Sequence, residues 1–207
     1  MHKIFKFKNM KRIILLSGVS ILLTLMVIAC SKDKTNTNIE TPGKSTIANN
    51  TVVDTFYTMQ AGSIESGFKF YSLKNGKITK IGCKMPEKGD YRVSLWDYTS
   101  KGLISATTIS VTDSTQFTYN NVSPIDVTAN TRYVISINNT SAGSSKRLFV
   151  FFKKPGINSI YPISTGSITY EALQEVISTT STFPTDVIAW DQNYFAGVPD
   201  FQIEYDE

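Results

Sequence analysis

GFKFYSLKNGKITKIGCKMPEKGDYRVSLWD, residues Gly67–Asp97, carries the signature of the fold class. Two runs of alternating apolar and polar residues flank Asn75-Gly76, and a third, YRVSLWD, follows the polar turn at Pro86-Glu87-Lys88-Gly89-Asp90. Asn-Gly supplies the two positive-φ residues of a type I′ turn, whose twist matches that of paired strands. The pattern therefore predicts a hairpin of Gly67–Ser72 with Lys77–Met85, extended to a meander by Tyr91–Thr99. A meander with one apolar face cannot bury that face alone, so further strands must cover it. Leu95 and Trp96 are neighbours and point to opposite faces. Both are buried only if one faces an inter-sheet core and the other lies under a loop.

Outward from this stretch the same period continues. Val52–Thr58, LISATTISV (Leu103–Val111), Phe117–Val122, Ile125–Val127, TRYVISINN (Thr131–Asn139), Leu148–Phe152 and FQIEY (Phe201–Tyr205) read as strands separated by polar turns. Between Ile157 and Asp191 two periods compete. Tyr170, Leu173 and Ile177 fit a helical face, whereas Ile168, Tyr170 and Ala172 fit a strand; the dense Ser and Thr favour extended structure. Strands at this spacing predict an all-β chain, an antiparallel β-sandwich of jelly-roll or Ig-like type, in a single domain.

The N-terminal segment is of another kind. Lys3, Lys6, Lys8, Lys11 and Arg12 precede an uncharged apolar run, Ile13–Ala29, that ends in Val27-Ile28-Ala29-Cys30. This end resembles the lipobox of bacterial lipoproteins, which implies acylation of Cys30 and removal of residues 1–29; Met10 to Cys30 is already a complete signal. The competing interpretation is a short transmembrane anchor. Residues 30–50, with SKDKTNTNIETPGKSTIANN after Cys30, are poor in apolar side chains and read as a flexible tether. Residues 51–207 form the predicted domain. An outer-membrane anchorage is expected, with Ser31 following the cysteine and the periplasmic or surface side left open.

Removal of residues 1–29 changes the charge argument. The full chain carries 21 basic and 17 acidic residues, a net +4. Without the five basic residues before Cys30, 16 face 17, and no basic stripe remains for nucleic acid. The single histidine is His2, so the mature chain lacks imidazole acid–base chemistry and histidine-ligated zinc. Apart from Cys30 the one cysteine is Cys83, in phase with Ile81 and Met85 and expected as a small buried hydrophobe. No cofactor motif and no enzyme motif is recognisable, and no catalytic role is expected.

Asp97, at a strand end, is expected to cap the following turn. Trp190, Asp191, Asn193 and Tyr194, within DVIAWDQNYFAGVPD, combine flat aromatic faces with amide and carboxylate groups, as a sugar site requires. The rival interpretation is that these aromatics plug an open end of the sandwich. Asp186, Asp191 and Asp200 offer oxygens to calcium, without EF-hand spacing.

Gly67-Phe68-Lys69-Phe70, Gly76-Lys77-Ile78-Thr79-Lys80-Ile81, Ser94-Leu95-Trp96-Asp97 with Gly102-Leu103-Ile104-Ser105-Ala106, and Pro124-Ile125-Asp126-Val127-Thr128-Ala129-Asn130-Thr131-Arg132-Tyr133-Val134 together resemble the bacterial extracellular family called domain of unknown function 4082. Asn130 stands where that family has Gly, and Asn also tolerates the left-handed region. The resemblance implies a β-sandwich, often attached to surface proteins involved with polysaccharides or adhesion, and implies no catalytic residues. The expected function is a non-catalytic, lipid-anchored envelope module that binds polysaccharide or glycoprotein. The alternative is a structural or adhesion protein that takes a protein partner at a sheet edge.

Overall fold

The computed structural model describes residues 38–49, 52–60, 62–185 and 193–205. Strand β3 (Ile64–Ser72) lies near the middle of a six-stranded antiparallel sheet. The order there is β12 (Ile163–Thr165), β13 (Ile168–Ile177), β3, β8 (Arg132–Asn138), β5 (Gly89–Asp97) and β6 (Leu103–Val111). The opposing layer is divided. One part is a four-stranded sheet of β1 (Ile39–Glu40), β15 (Pro199–Tyr205), β4 (Gly76–Cys83) and β7 (Thr118–Val127). The other is a three-stranded sheet of β14 (Tyr194–Ala196), β11 (Leu148–Lys153) and β2 (Val53–Met59). The hairpin β9 (Thr140–Ser141) and β10 (Ser144–Ser145) completes the set, and every pairing is antiparallel. The chain is an antiparallel β-sandwich, as the alternation predicts.

The core joins the layers through β3. Phe68 stacks on Phe195 of β14 at 4.2 Å between ring centroids, and Phe70 packs on Phe201 of β15 at 4.8 Å. Leu95 is fully buried in this core, while Trp96 points the other way into a second cluster with Val134 and Phe183. The expectation for this adjacent pair holds. Cys83 is free and fully buried, and burial holds its thiol far above the usual range. Asp97 accepts from the Ser100 N–H at 2.7 Å and caps its turn. Asn130 adopts φ 61°, the left-handed conformation.

The predicted hairpin at Asn75-Gly76 does not form. β3 pairs with β13 and β8, whereas β4 pairs with β15 and β7, so the chain crosses from one layer to the other at this point. Neither Asn75 nor Gly76 is among the positive-φ residues; the Asn75 side chain instead accepts the Ala129 N–H at 2.8 Å. The reason is geometric. Alternation shows that Phe68 and Phe70 face a core, and Ile78 and Ile81 reach it together through the register shift between Ile78 and Lys80, but strands on opposite sides of one core carry the same pattern.

The ambiguous stretch after Ile157 is extended. On β13, Tyr170 pairs with Phe70 and Leu173 with Phe68, with the register shifting across Glu171. One extra residue in a bulge converts a spacing of two into three, which imitates a helical face. Glu171 then receives a bidentate ion pair from Arg132 at 2.8 and 2.9 Å, and Lys69 lies 3.1 Å away.

The tether expected over residues 30–50 is shorter than that. Cys30 and residues up to 37 lie outside the described residues, but Ile39–Glu40 pairs with β15 and helix α1 (Pro42–Asn49) packs on the sandwich. The cause is Asp200, fully buried on β15. Its carboxylate accepts the Gly43 and Lys44 N–H groups at 2.7 and 2.9 Å, the Tyr119 hydroxyl at 2.6 Å and its neighbour's Phe201 N–H. A carboxylate on the first free N–H groups of a helix satisfies donors that have no intrahelical partner. Composition underestimates this segment because its docking is polar. A Cβ on Gly43 would lie 2.9 Å from the Asp200 carboxyl carbon. Gly43→Ala is therefore expected to destabilise the chain by about 1–3 kcal/mol, read from urea unfolding midpoints at constant m.

Candidate functional site

On the second face of β3, Glu65 and Gly67 are also buried, and that face is polar. Glu65 of β3 lies opposite Asn138 of β8, and Ser136 of β8 lies opposite Ser94 of β5. Gly67 stands between Ser136 and Gln174 of β13. A Cβ on Gly67 would come within 2.2 Å of the Ile135 carbonyl, so only glycine permits this approach of β3 to β8. Glu65, Ser94, Ser136, Asn138 and Gln174 are all at most 3 % exposed. The Trp96 indole N–H donates to Ser136 Oγ at 2.8 Å, and Ser136 donates to Glu65 Oε1.

Residues 178–185, which follow β13, strap this face. Asn138 Nδ2 donates to the Ser178 and Thr180 carbonyls at 3.1 and 3.2 Å. The Ser94 and Ser181 hydroxyls meet at 3.1 Å, and Phe183 sits edge-on to Trp96 at 5.9 Å. Two cavities border the strap. One of about 390 Å³ is lined by Tyr98, Thr99, Lys101, Gln174, Phe183 and Thr185. The other, of about 230 Å³, is lined by Arg92, Asn138, Thr140, Thr179, Thr180 and Ser181. Lys69 Nζ holds Tyr98 from below its ring at 4.2 Å, which fixes one wall of the larger cavity.

This face is under-satisfied. Among the described residues four buried side-chain polar atoms lack a hydrogen-bond partner, and three of them are here: Glu65 Oε2, Thr140 Oγ1 and Gln174 Oε1. Each such atom costs on the order of 1–3 kcal/mol, and Gln174 Oε1 can only accept a hydrogen bond. An O–H or N–H donor that enters between sheet and strap relieves that cost. Burial raises the Glu65 carboxyl from 4.5 to about 7, against the hydrogen bond from Ser136, weaker approaches from the Asn138 side chain and Thr182 backbone, and the charge of Arg92.

The residues singled out in the sequence lie elsewhere or beyond view. Trp190 and Asp191 fall outside the described residues, as does Asp186. Asn193 is half-buried before β14, and Tyr194 lies within it, its ring 5.3 Å from Phe152 and its carbonyl accepting the Tyr161 hydroxyl at 3.0 Å. Tyr194, with Tyr57, Val150, Leu173 and Glu175, borders a dimple of about 20 Å³, room for one water. Asp200 is committed to α1 and Tyr119. Sequence reasoning missed Glu65, Ser136 and Gln174 because a polar residue on a strand reads as solvent-facing. The signal available was Trp96, which had to be covered by something.

Residues 50–196 match the family model described as Domain of unknown function (DUF4082). No curated protein matches the chain. The match leaves out β1, α1 and β15, the three elements that Asp200 and the β1–β15 pairing bind together.

The buried carboxyls set a pH dependence. A carboxyl whose folded pKa exceeds its unfolded value stabilises the fold most when protonated. The Glu65 contribution is thus complete below about 4.5 and lost as pH rises through about 7. Its loss is expected to lower stability by up to about 3 kcal/mol. Glu65→Gln should flatten urea stability over that window. A smaller fall between 3.8 and about 6, from Asp200, should survive the substitution.

Proposed function

The chain belongs to this family, and we propose that it is a non-catalytic binding module of the bacterial cell envelope whose strap-covered cleft takes a saccharide. One observation carries the proposal: Gln174, whose buried Oε1 is unpartnered, lines the roughly 390 Å³ cavity together with the aromatic rings of Tyr98 and Phe183. A pyranose presents C–H faces to aromatic rings and O–H donors to a waiting carbonyl. The volume lies in the range of small-molecule sites, whereas the dimple beside Tyr194 does not.

The test uses the chain's own reporter. Trp96 lies under Phe183, and Trp190→Phe leaves it the sole tryptophan. Titration of that variant with a polysaccharide panel should give a saturable fluorescence change. Gln174→Ala, in the same background, should weaken the apparent affinity by about tenfold, the effect of one lost buried hydrogen bond. A flat signal for every glycan would remove the proposal.

A second reading is favoured by β2. It is an edge strand of the three-stranded sheet, with Phe56 59 % and Tyr57 40 % exposed. Strand addition by a protein partner would use this edge, and Phe56→Glu would abolish it while leaving glycan titration intact.

Anchorage through Cys30 belongs to the same proposal, with outer-membrane lipid holding the module. Cys30→Ser is expected to eliminate metabolic palmitate labelling and to move the protein from membrane to soluble fractions.

A further inference from the structure

We infer that the smaller cavity is an anion subsite and that the saccharide taken by the cleft is acidic, its uronic-acid carboxylate seated on Arg92. This inference rests on the saccharide reading of the cleft and specifies its ligand. The cavity of about 230 Å³ is bordered by one cation, Arg92, and otherwise by hydroxyls and one amide, from Thr140, Thr179, Thr180, Ser181 and Asn138. The Asn138 amide hydrogens are already committed to the Ser178 and Thr180 carbonyls. The hydroxyl of Thr140 is buried and unpartnered, and it can donate.

Arg92 differs from the other arginine of this sheet face. Arg132 is engaged bidentately by Glu171, whereas no carboxylate lies within ion-pair distance of Arg92 among the described residues. The acid that feels its charge is Glu65, whose carboxyl is buried and held by the Ser136 hydroxyl rather than paired with the guanidinium. A planar guanidinium with free N–H groups matches a carboxylate in two parallel hydrogen bonds. Lys101, on the larger cavity, adds a second positive charge along the same strap. A neutral glycan would leave Arg92 unused; an acidic one engages it.

The experiment compares tetrasaccharides from pectate, alginate and hyaluronan, each beside its carboxyl-reduced counterpart. Calorimetric titration uses the full chain in detergent. At least one acidic probe should bind about ten- to a hundredfold tighter than its reduced form, the worth of a hydrogen bond to a charged group. Arg92→Gln should bring that ratio close to one without changing affinity for the reduced probe, and Arg92→Lys should restore only part of it. Arg92 is exposed, and unchanged urea midpoints establish that the variants fold. Equal binding of acidic and reduced probes, or a preference that survives Arg92→Gln, overturns the anion subsite and leaves the saccharide cleft standing. Failure of every probe to bind the unsubstituted chain overturns both.

Discussion

The contact between β3 and the divided layer opposite it governs the molecule. Phe68 and Phe70 are two residues apart on one face of one strand, and each engages a different sheet, through Phe195 and Phe201 respectively. Tyr170 closes on both rings from β13. Burial of several aromatic side chains at one place outweighs any single hydrogen bond in the fold, since each contributes on the order of 2–3 kcal/mol or more. The short segment Tyr194–Tyr205 supplies both partner rings. It thereby holds the three-stranded and four-stranded sheets side by side as one layer.

Fixing β3 in the interior has a consequence on its other face. Neighbours on both sides and a strap above leave Glu65, Ser136 and Gln174 without access to bulk water. Ser136 links Trp96 to Glu65, so part of the network is satisfied, and the remaining acceptors are not. Native proteins seldom leave such atoms idle. Their concentration beside two cavities, rather than in the sandwich core, is the physical content of the candidate cleft. In the core itself the Tyr170 hydroxyl is the comparable case among the described residues.

Asp200 performs a different task. It joins the helix that leads in from the N-terminal segment to the last strand and to Tyr119 of β7. Glu40 repeats the device nearby, accepting the Ser167 N–H and the Tyr205 hydroxyl at 2.8 Å. Each acid ties an element outside the family match to one inside it, Asp200 to Tyr119 and Glu40 to Ser167. The helix and β1 are thus held on the sandwich by carboxylates on backbone N–H groups and tyrosine hydroxyls as well as by apolar contact through Ile47.

The period of two along each strand was legible in the amino-acid order, and with it the all-β class, the burial of Cys83 in phase with Ile81, and the need to cover one of Leu95 and Trp96 by a loop. Local chemistry was legible as well, in the Asp97 turn and the left-handed Asn130. Sheet membership was not, because strands on either side of a core share one pattern; Asn75-Gly76 became a crossover. The bulge at Glu171 was hidden for a related reason, since an inserted residue copies a helical spacing. The cleft could not be read at all. Glu65, Arg92, Thr140 and Gln174 lie on four strands far apart in sequence, and only the tertiary structure brings them to one strap, where burial alters what Glu65 and Gln174 can do.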